Sequence, residues 1–407
     1  MGDAKLSAYV KHKQNKTALN PVDILSFLFQ EERRSGIILV LAAIAALIMA
    51  NSMWSNMYFT FINHQLTLGT ITLDVQHWIS EGLMAIFFLV VVLEVKREFL
   101  DGELSTWRKA SFPVIAALGG MIVPALIYTL INPHPPQSTG WAIPIATDIA
   151  LAVGVLALAG KRIPKNLRIF LLALAIVDDI GSILIIAIFY SQPTNVLALL
   201  GAAILTLVLL VCRKQKYWIV IFATVGFCLW YCLLLSGISG TMAGVIVAAM
   251  VPLATRKSKK SAIQSSEKIE DILLPLTAYF IVPLFVFSSA GLVLSKLSLA
   301  HNNTLVIFGG VALGLLIGKP LGIISASWLA TQLHLTYKPK DIRWRHIVGV
   351  GFIAGIGFTV SLLIADLSFS TNPSFQNAAV LGVFTASILA GLIGLLILAT
   401  TSKKKKI

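Results

Sequence analysis

Charge is what this chain has least of. Only 12% of its 407 residues are Asp, Glu, Lys or Arg, about half the share of an ordinary soluble domain. They fall in short blocks between long apolar runs, which excludes a water-soluble core wrapped in a charged surface. Cysteine is scarce as well. Cys212, Cys228 and Cys232 lie in or beside apolar runs, which argues against a disulfide framework or a cysteine metal site and leaves packing as their reading. Acidic residues are outnumbered, 18 against 32 Lys and Arg, for a formal net charge of +14. A cleavable leader is not apparent either, since the first 34 residues are polar and basic without a short apolar core.

What fills the chain is hydrophobic: 57% of the residues, with a mean hydropathy of +0.86. A run of about 18 or more such residues reads as a membrane-spanning helix. Twelve segments emerge, at 35–52, 79–99, 111–132, 141–160, 167–190, 196–212, 217–235, 237–253, 273–294, 304–332, 347–369 and 376–400. The expected fold class is an all-α polytopic membrane protein in a lipid bilayer. A cytoplasmic arm over 1–34 precedes the transmembrane unit at 35–400, and a basic tail follows at 401–407. In the arm, Asn20 and Pro21 suit the start of a short helix lying along the membrane surface.

The positive charge is explained by its placement. Lys and Arg concentrate in cytoplasmic loops, and thirty of the 32 fall in alternate loops and the two ends. The opposite loops hold only Lys296, and Lys319 lies inside a segment. Both termini are therefore expected in the cytoplasm, and no nucleic-acid partner is needed to account for the charge. The first external loop alternates Leu66-Thr67-Leu68 and Thr70-Ile71-Thr72-Leu73 around Gly69, a small hairpin pattern. A lone hairpin is marginal in water, so a second protomer is a natural partner for its edge.

A charge at bilayer depth costs at least about 2.5–3.5 kcal/mol on insertion scales, so ionisable residues inside the segments are functional candidates. Glu94, Asp148, Asp178, Asp179 and Lys319 stand out. Asp178 lies roughly 16 Å into segment five, near the middle of a ~30 Å core, and Asp179 follows directly. Two adjacent midplane carboxylates cannot both be ionised cheaply. They suit a site where H⁺ and a hard metal ion compete, since hard cations prefer oxygen ligands. The plainer alternative is an ion pair that only orients helices.

Asp148 and Thr147 follow Pro144, which disturbs the helix. Their oxygens serve either an ion or the freed amides. Lys319, before Pro320, is placed to pair with Asp178 or Asp179, or to neutralise a helix end. Gly349, Gly351, Gly355 and Gly357 mean either close packing or an unwound stretch. Segments four and eleven are seven crossings apart, so segments 3–5 and 10–12 have opposite topology. Interrupted segments in corresponding positions point to the site of a secondary transporter, the family named next among them. Glu94 and Glu98 share a helix face near the cytoplasm, and Glu270 and Asp271 precede segment nine on the same side. Such charges attract cations, sense pH, or are ordinary solvated helix ends.

Six strings together closely resemble the bacterial NhaA sodium/proton antiporters. They are Phe87 to Leu89 with Leu93 to Glu98, Phe112 to Ala117, Trp141 to Pro144 with Ala146 to Ala150, Ala173 to Asp179, Gly318 to Gly322, and Gly355 to Thr359. They occur in the family's order and span roughly 35–400. The resemblance implies about twelve helices with inverted repeats, crossed and interrupted helices four and eleven, and a carrier rather than an enzyme. It implies exchange of cytoplasmic Na⁺ or Li⁺ for external H⁺ in the bacterial inner membrane, regulated by pH, electrogenic, and serving sodium and pH homeostasis without a cofactor. By position, Asp179 resembles the central cation ligand and Asp178 the carboxylate paired with Lys319. Thr147 and Asp148 resemble the residues at the helix crossing. Glu94, Arg97, Glu98 and Glu270 resemble the pH-response cluster, to which neighbouring Asp271 is added, and the hairpin around Gly69 the dimerisation element. Histidines that some relatives carry are replaced here by Asp271, Leu274 and Ser239.

Three other readings compete, one of them a receptor without transport, which offers no reason for paired midplane acids. An intramembrane aspartyl protease also buries aspartates, but its Tyr-Asp and Gly-x-Gly-Asp patterns are absent. A carrier for potassium or an organic anion would differ in the cation that drives proton flux.

Overall fold

A computed structural model describes residues 21–102, 104–159, 163–190, 195–213, 218–252, 269, 272–293 and 302–401. The expected Glu270 and Asp271 lie outside these residues. The first helix, α1 (Pro21–Ala50), starts at the proline anticipated from the sequence. It does not stop before position 35 but runs unbroken into the first apolar segment. The linking stretch Gln30-Glu31-Glu32-Arg33-Arg34 is made of good helix formers, so nothing there ends the helix. The chain then bends by 114° into α2 (Ser55–Ile62).

A two-stranded hairpin follows, β1 (Gln65–Leu68) paired antiparallel with β2 (Ile71–Asp74). Gly69 has φ 62°, the positive value that the first turn residue of a two-residue type II′ connection requires. Thr70 N donates to Tyr231 Oη at 3.2 Å, so the turn is tied to the bundle. All four β1 residues are exposed.

The remaining helices are α3 (Val75–Leu100), α4 (Trp107–Ile131), α5 (Ile149–Leu158), α6 (Lys165–Phe189), α7 (Val196–Cys212), α8 (Trp218–Ser236), α9 (Thr241–Met250), α10 (Ile272–Ser289), α11 (Asn303–Gln332), α12 (Trp344–Ala354), α13 (Phe358–Ser368) and α14 (Pro373–Thr401). Among the described residues, seven helices are long and apolar enough to cross a membrane: α3, α4, α6, α8, α10, α11 and α14. The number rises to ten if each of three bent helix pairs counts as one span. α7 and α9 are apolar but shorter. The outside of the bundle is apolar too. Leu130, Leu197 and Val211 are 79%, 79% and 75% exposed, positions suited to lipid rather than water.

Small residues set the closest contacts. On α4 and α11, a Cβ at Gly119 would overlap the carbonyl of Gly322, and one at Gly322 would overlap that of Gly119. α9 meets α3 the same way, with Gly244 against the carbonyl of Ala85. Lys96 of α3 then closes the far end of α9. Its Nζ donates to the carbonyls of Ala248, Ala249 and Val251 at 3.0, 2.9 and 2.7 Å. The last carbonyls of a helix run short of partners within it; here Ala248 O accepts a long 3.3 Å bond from Val251 N besides the lysine, and a cation at a helix C-terminus is favoured by the dipole.

Candidate cation and proton site

Two broken helices build the site. The first half of the fourth apolar segment is a 3₁₀ stretch, Gln137–Ile145, that contains Pro144. Ala146 and Asp148 are extended, and α5 starts at Ile149, bent by 46°. In the eleventh segment α12 ends at Ala354, and α13 starts at Phe358 after a bend of 44°. Gly355 and Gly357 fill this break with φ of −67° and −87°. The glycines thus serve close approach, not left-handed backbone: a Cβ at Gly355 would lie 2.6 Å from the carbonyl of Leu315.

The two breaks meet. Asp148 N donates to Ile356 O at 2.7 Å, and Ser361 Oγ donates to Ile143 O at 2.7 Å. The Asp148 carboxylate sits between two helix N-termini. Its Oδ1 accepts from Leu151 N at 2.9 Å and its Oδ2 from Thr359 N at 3.2 Å. Of the two uses the sequence left open for Asp148, these bonds are the one that compensates freed amides. Helix N-termini carry partial positive charge, so a carboxylate there balances both.

Asp178 and Asp179 come from the middle of α6, buried to 0% and 5% exposure. Lys319, itself 0% exposed, places Nζ 3.0 Å from Asp178 Oδ2. It also donates to the carbonyl of Ile145, the last residue of the 3₁₀ stretch. Both uses suggested by the sequence therefore occur together. Pro320 cannot donate to the carbonyl of Leu316, and α11 widens into a π turn over Gly314–Gly318 immediately before the lysine. Thr147 Oγ1 lies 2.7 Å from Asp178 Oδ2 and 3.0 Å from Ala354 O, sharing one hydrogen between them. The crossing thus holds Asp178 by its Oδ2, while Asp178 Oδ1 and Asp179 Oδ1 are buried without a hydrogen-bond partner. Two unpartnered carboxylate oxygens on successive residues can accept protons or coordinate a hard cation.

Glu94 is partly buried on α3 and within Coulombic reach of Asp179. Arg97 and Glu98 follow on the same face, the arginine exposed and the glutamate partly buried.

The sequence reading overlooked a second polar group at the hairpin end of the bundle. Asp366 of α13 is 4% exposed, and its Oδ1 accepts from Gln376 Nε2 at 2.8 Å and, more loosely, from Gln76 Nε2 at 3.4 Å. His77 Nδ1 pairs with Asp74 at 2.7 Å. Glu81 Oε2 accepts from Ser239 Oγ at 2.9 Å. Asp74, His77 and Glu81 recur at spacings of three and four, one face of a helix, which was the available signal.

The profile of the Na⁺/H⁺ antiporter 1 family matches residues 26–398. The chain belongs to that family. Among the family's members, the Na⁺/H⁺ antiporter NhaA of Aliivibrio salmonicida is 44% identical over 386 residues, covering 94% of this chain and 99% of the relative. The NhaA of Caulobacter vibrioides is 43% identical over 389 residues, 94% of this chain and 92% of its own length. That of Vibrio parahaemolyticus is 42% identical over 386 residues. Matches of this length within the antiporter family run through both broken helices and through α6 and α11, so the crossing lies inside the aligned region.

Proposed function

We propose that this protein exchanges cytoplasmic Na⁺, or Li⁺, for external H⁺ across a bacterial inner membrane, as a carrier and not an enzyme. The observation that carries this reading is the Asp178–Asp179 pair, buried against Lys319 where two broken helices cross. Family membership supports the same exchange. With the site open to the cytoplasm, Na⁺ displaces protons from Asp179 and Asp178. A rearrangement around the two breaks exposes the loaded site to the outside, where protons displace Na⁺. Lys319 pairs with Asp178 once that carboxylate has given up its proton and no ion is bound, and Thr147 and Asp148 anchor the crossing beside it. Where more proton charge than sodium charge moves per cycle, transport is electrogenic and the membrane potential drives Na⁺ out. Sodium and pH homeostasis follow from that exchange.

Adding NaCl or LiCl to acidified everted membrane vesicles is expected to collapse ΔpH, while KCl does little. An equal response to K⁺ would remove the sodium assignment. Run across pH, the same assay tests Glu94, Arg97, Glu98, Glu270 and Asp271 as the pH-response cluster. Neutralising the four carboxylates is expected to move the pH at which activity appears. An unchanged profile in all four excludes them.

The topology is read as twelve crossings, with α7 and α9 counted as spans and inverted repeats relating α4 to α6 with α11 to α14. The charge bias of the loops supports cytoplasmic termini. Single cysteines in place of Lys5 and Lys405, with the three native cysteines removed, are expected to react only from the cytoplasmic side. External labelling of either breaks this topology. The open β1 edge is assigned to a second copy of the chain, and the mass of the purified protein in detergent, with and without Gly69→Val, tests that homodimer.

A further inference from the structure

Ser182 lies one turn beyond the aspartate pair on α6, three residues from Asp179 and four from Asp178. Side chains at those spacings are neighbours on a helix face, with Cβ atoms about 5–6 Å apart. It is 1% exposed, and its Oγ has no hydrogen-bond partner. That is unusual behaviour for a helical hydroxyl, which ordinarily returns its hydrogen to a carbonyl three or four residues back. Thr129, Thr206, Ser368 and Thr385 do so here, at 3.0, 2.8, 2.6 and 2.8 Å. Ser182 does not, although the carbonyl of Asp178 is in place to receive it.

A buried hydroxyl without a partner is costly. Ser289 of α10, Ser327 of α11 and Ser387 of α14 share the condition, but none stands within a turn of a carboxylate on its own helix. Ser182 does, and both of its acidic neighbours also hold an unpartnered buried oxygen, Oδ1 in each case. Positions 178, 179 and 182 therefore share a helix sector about 100° wide, and each carries an unpartnered buried oxygen. A hydroxyl donates to a carboxylate or lends a lone pair to a metal ion. It is the only one of the three without formal charge, so it adds a ligand without adding repulsion.

We propose that Ser182 is a further oxygen ligand of the transported cation, and that it weights the site towards Na⁺ over Li⁺. This rests on the antiporter reading above. Na⁺ is the larger ion and draws on more oxygens than Li⁺, which is satisfied by about four. The extra neutral ligand therefore matters more for Na⁺. Ion binding would give this hydroxyl the polar partner it otherwise lacks.

The test measures KM for NaCl and for LiCl from ΔpH in everted vesicles, for wild type, Ser182→Ala, Ser182→Thr and Asp179→Asn. Ser182→Ala is expected to raise the Na⁺ KM roughly threefold to tenfold, the scale of one neutral polar contact, with a smaller change for Li⁺ and full activity at saturating Na⁺. Ser182→Thr, which keeps the hydroxyl, is expected to stay near wild type, and Asp179→Asn to lose the response to both ions. An unchanged Na⁺ KM in Ser182→Ala, or an equal rise for both ions that Ser182→Thr shares, overturns the inference and leaves Ser182 as packing. If wild type responds to neither ion, the antiporter reading and this inference fall together.

Discussion

Asp179→Asn is expected to abolish Na⁺-dependent proton flux, a loss at least on the order of 100-fold for removal of a charged ligand, while the protein stays folded in the membrane. The change is nearly isosteric. It removes one anion and one proton-binding group from a position 5% exposed, whose Oδ1 has no partner to lose. No helix contact depends on that oxygen. Activity should therefore fall without a matching fall in the amount of protein or in its melting temperature. Calorimetry on the purified variant separates binding from transport. Heat and proton release on adding Na⁺, if still present, would show that the ion binds elsewhere.

Lys319→Met is expected to do the reverse, weakening the fold first. Nζ is 3.0 Å from Asp178 Oδ2, both side chains are 0% exposed, and the lysine also caps the carbonyl of Ile145. Removing one member of such a pair strands the other and costs about 3–5 kcal/mol. In a chain of this size that corresponds to a fall of roughly 5 °C in melting temperature. Adding Asp178→Asn should recover much of it, because no buried charge is then left alone. A melting temperature unmoved by Lys319→Met would mean that the ion pair does not hold the crossing together.

Much of this site was legible because membrane burial makes charge conspicuous. Asp178, Asp179 and Lys319 stood out against apolar neighbours, and Pro144 and the glycines at 355 and 357 marked the breaks. What the sequence could not say is which backbone groups those breaks expose to each other. The bonds from Asp148 N to Ile356 O and from Thr359 N to Asp148 Oδ2 join residues about two hundred positions apart. For that reason the partners of Asp148 and of Lys319 stayed open until the geometry was known. Asp366 and Glu81 escaped notice because they sit near segment ends, where a carboxylate usually reads as solvated. Asp366 is in fact covered by glutamines from two other elements. The continuity of α1 was missed for a different reason. A change from charged to apolar residues suggested a boundary, yet helix propensity does not change there. Ser182 carried no signal at all, since a lone serine in a helix is ordinarily bonded to its own backbone.

The meeting of the two breaks also sets a timetable. Asp148 and Thr359 are 211 residues apart, and at about 5–20 residues per second a ribosome takes on the order of 10–40 s to travel between them. During that interval the first broken helix is already in the lipid, its freed backbone groups and its aspartate lacking the partners that α13 will bring. α5 and α13, ten and eleven residues long, are each too short to cross a bilayer alone. The crossing is therefore assembled late, when α13 arrives, and a nascent protein interrupted before residue 356 is membrane-inserted yet has no finished crossing.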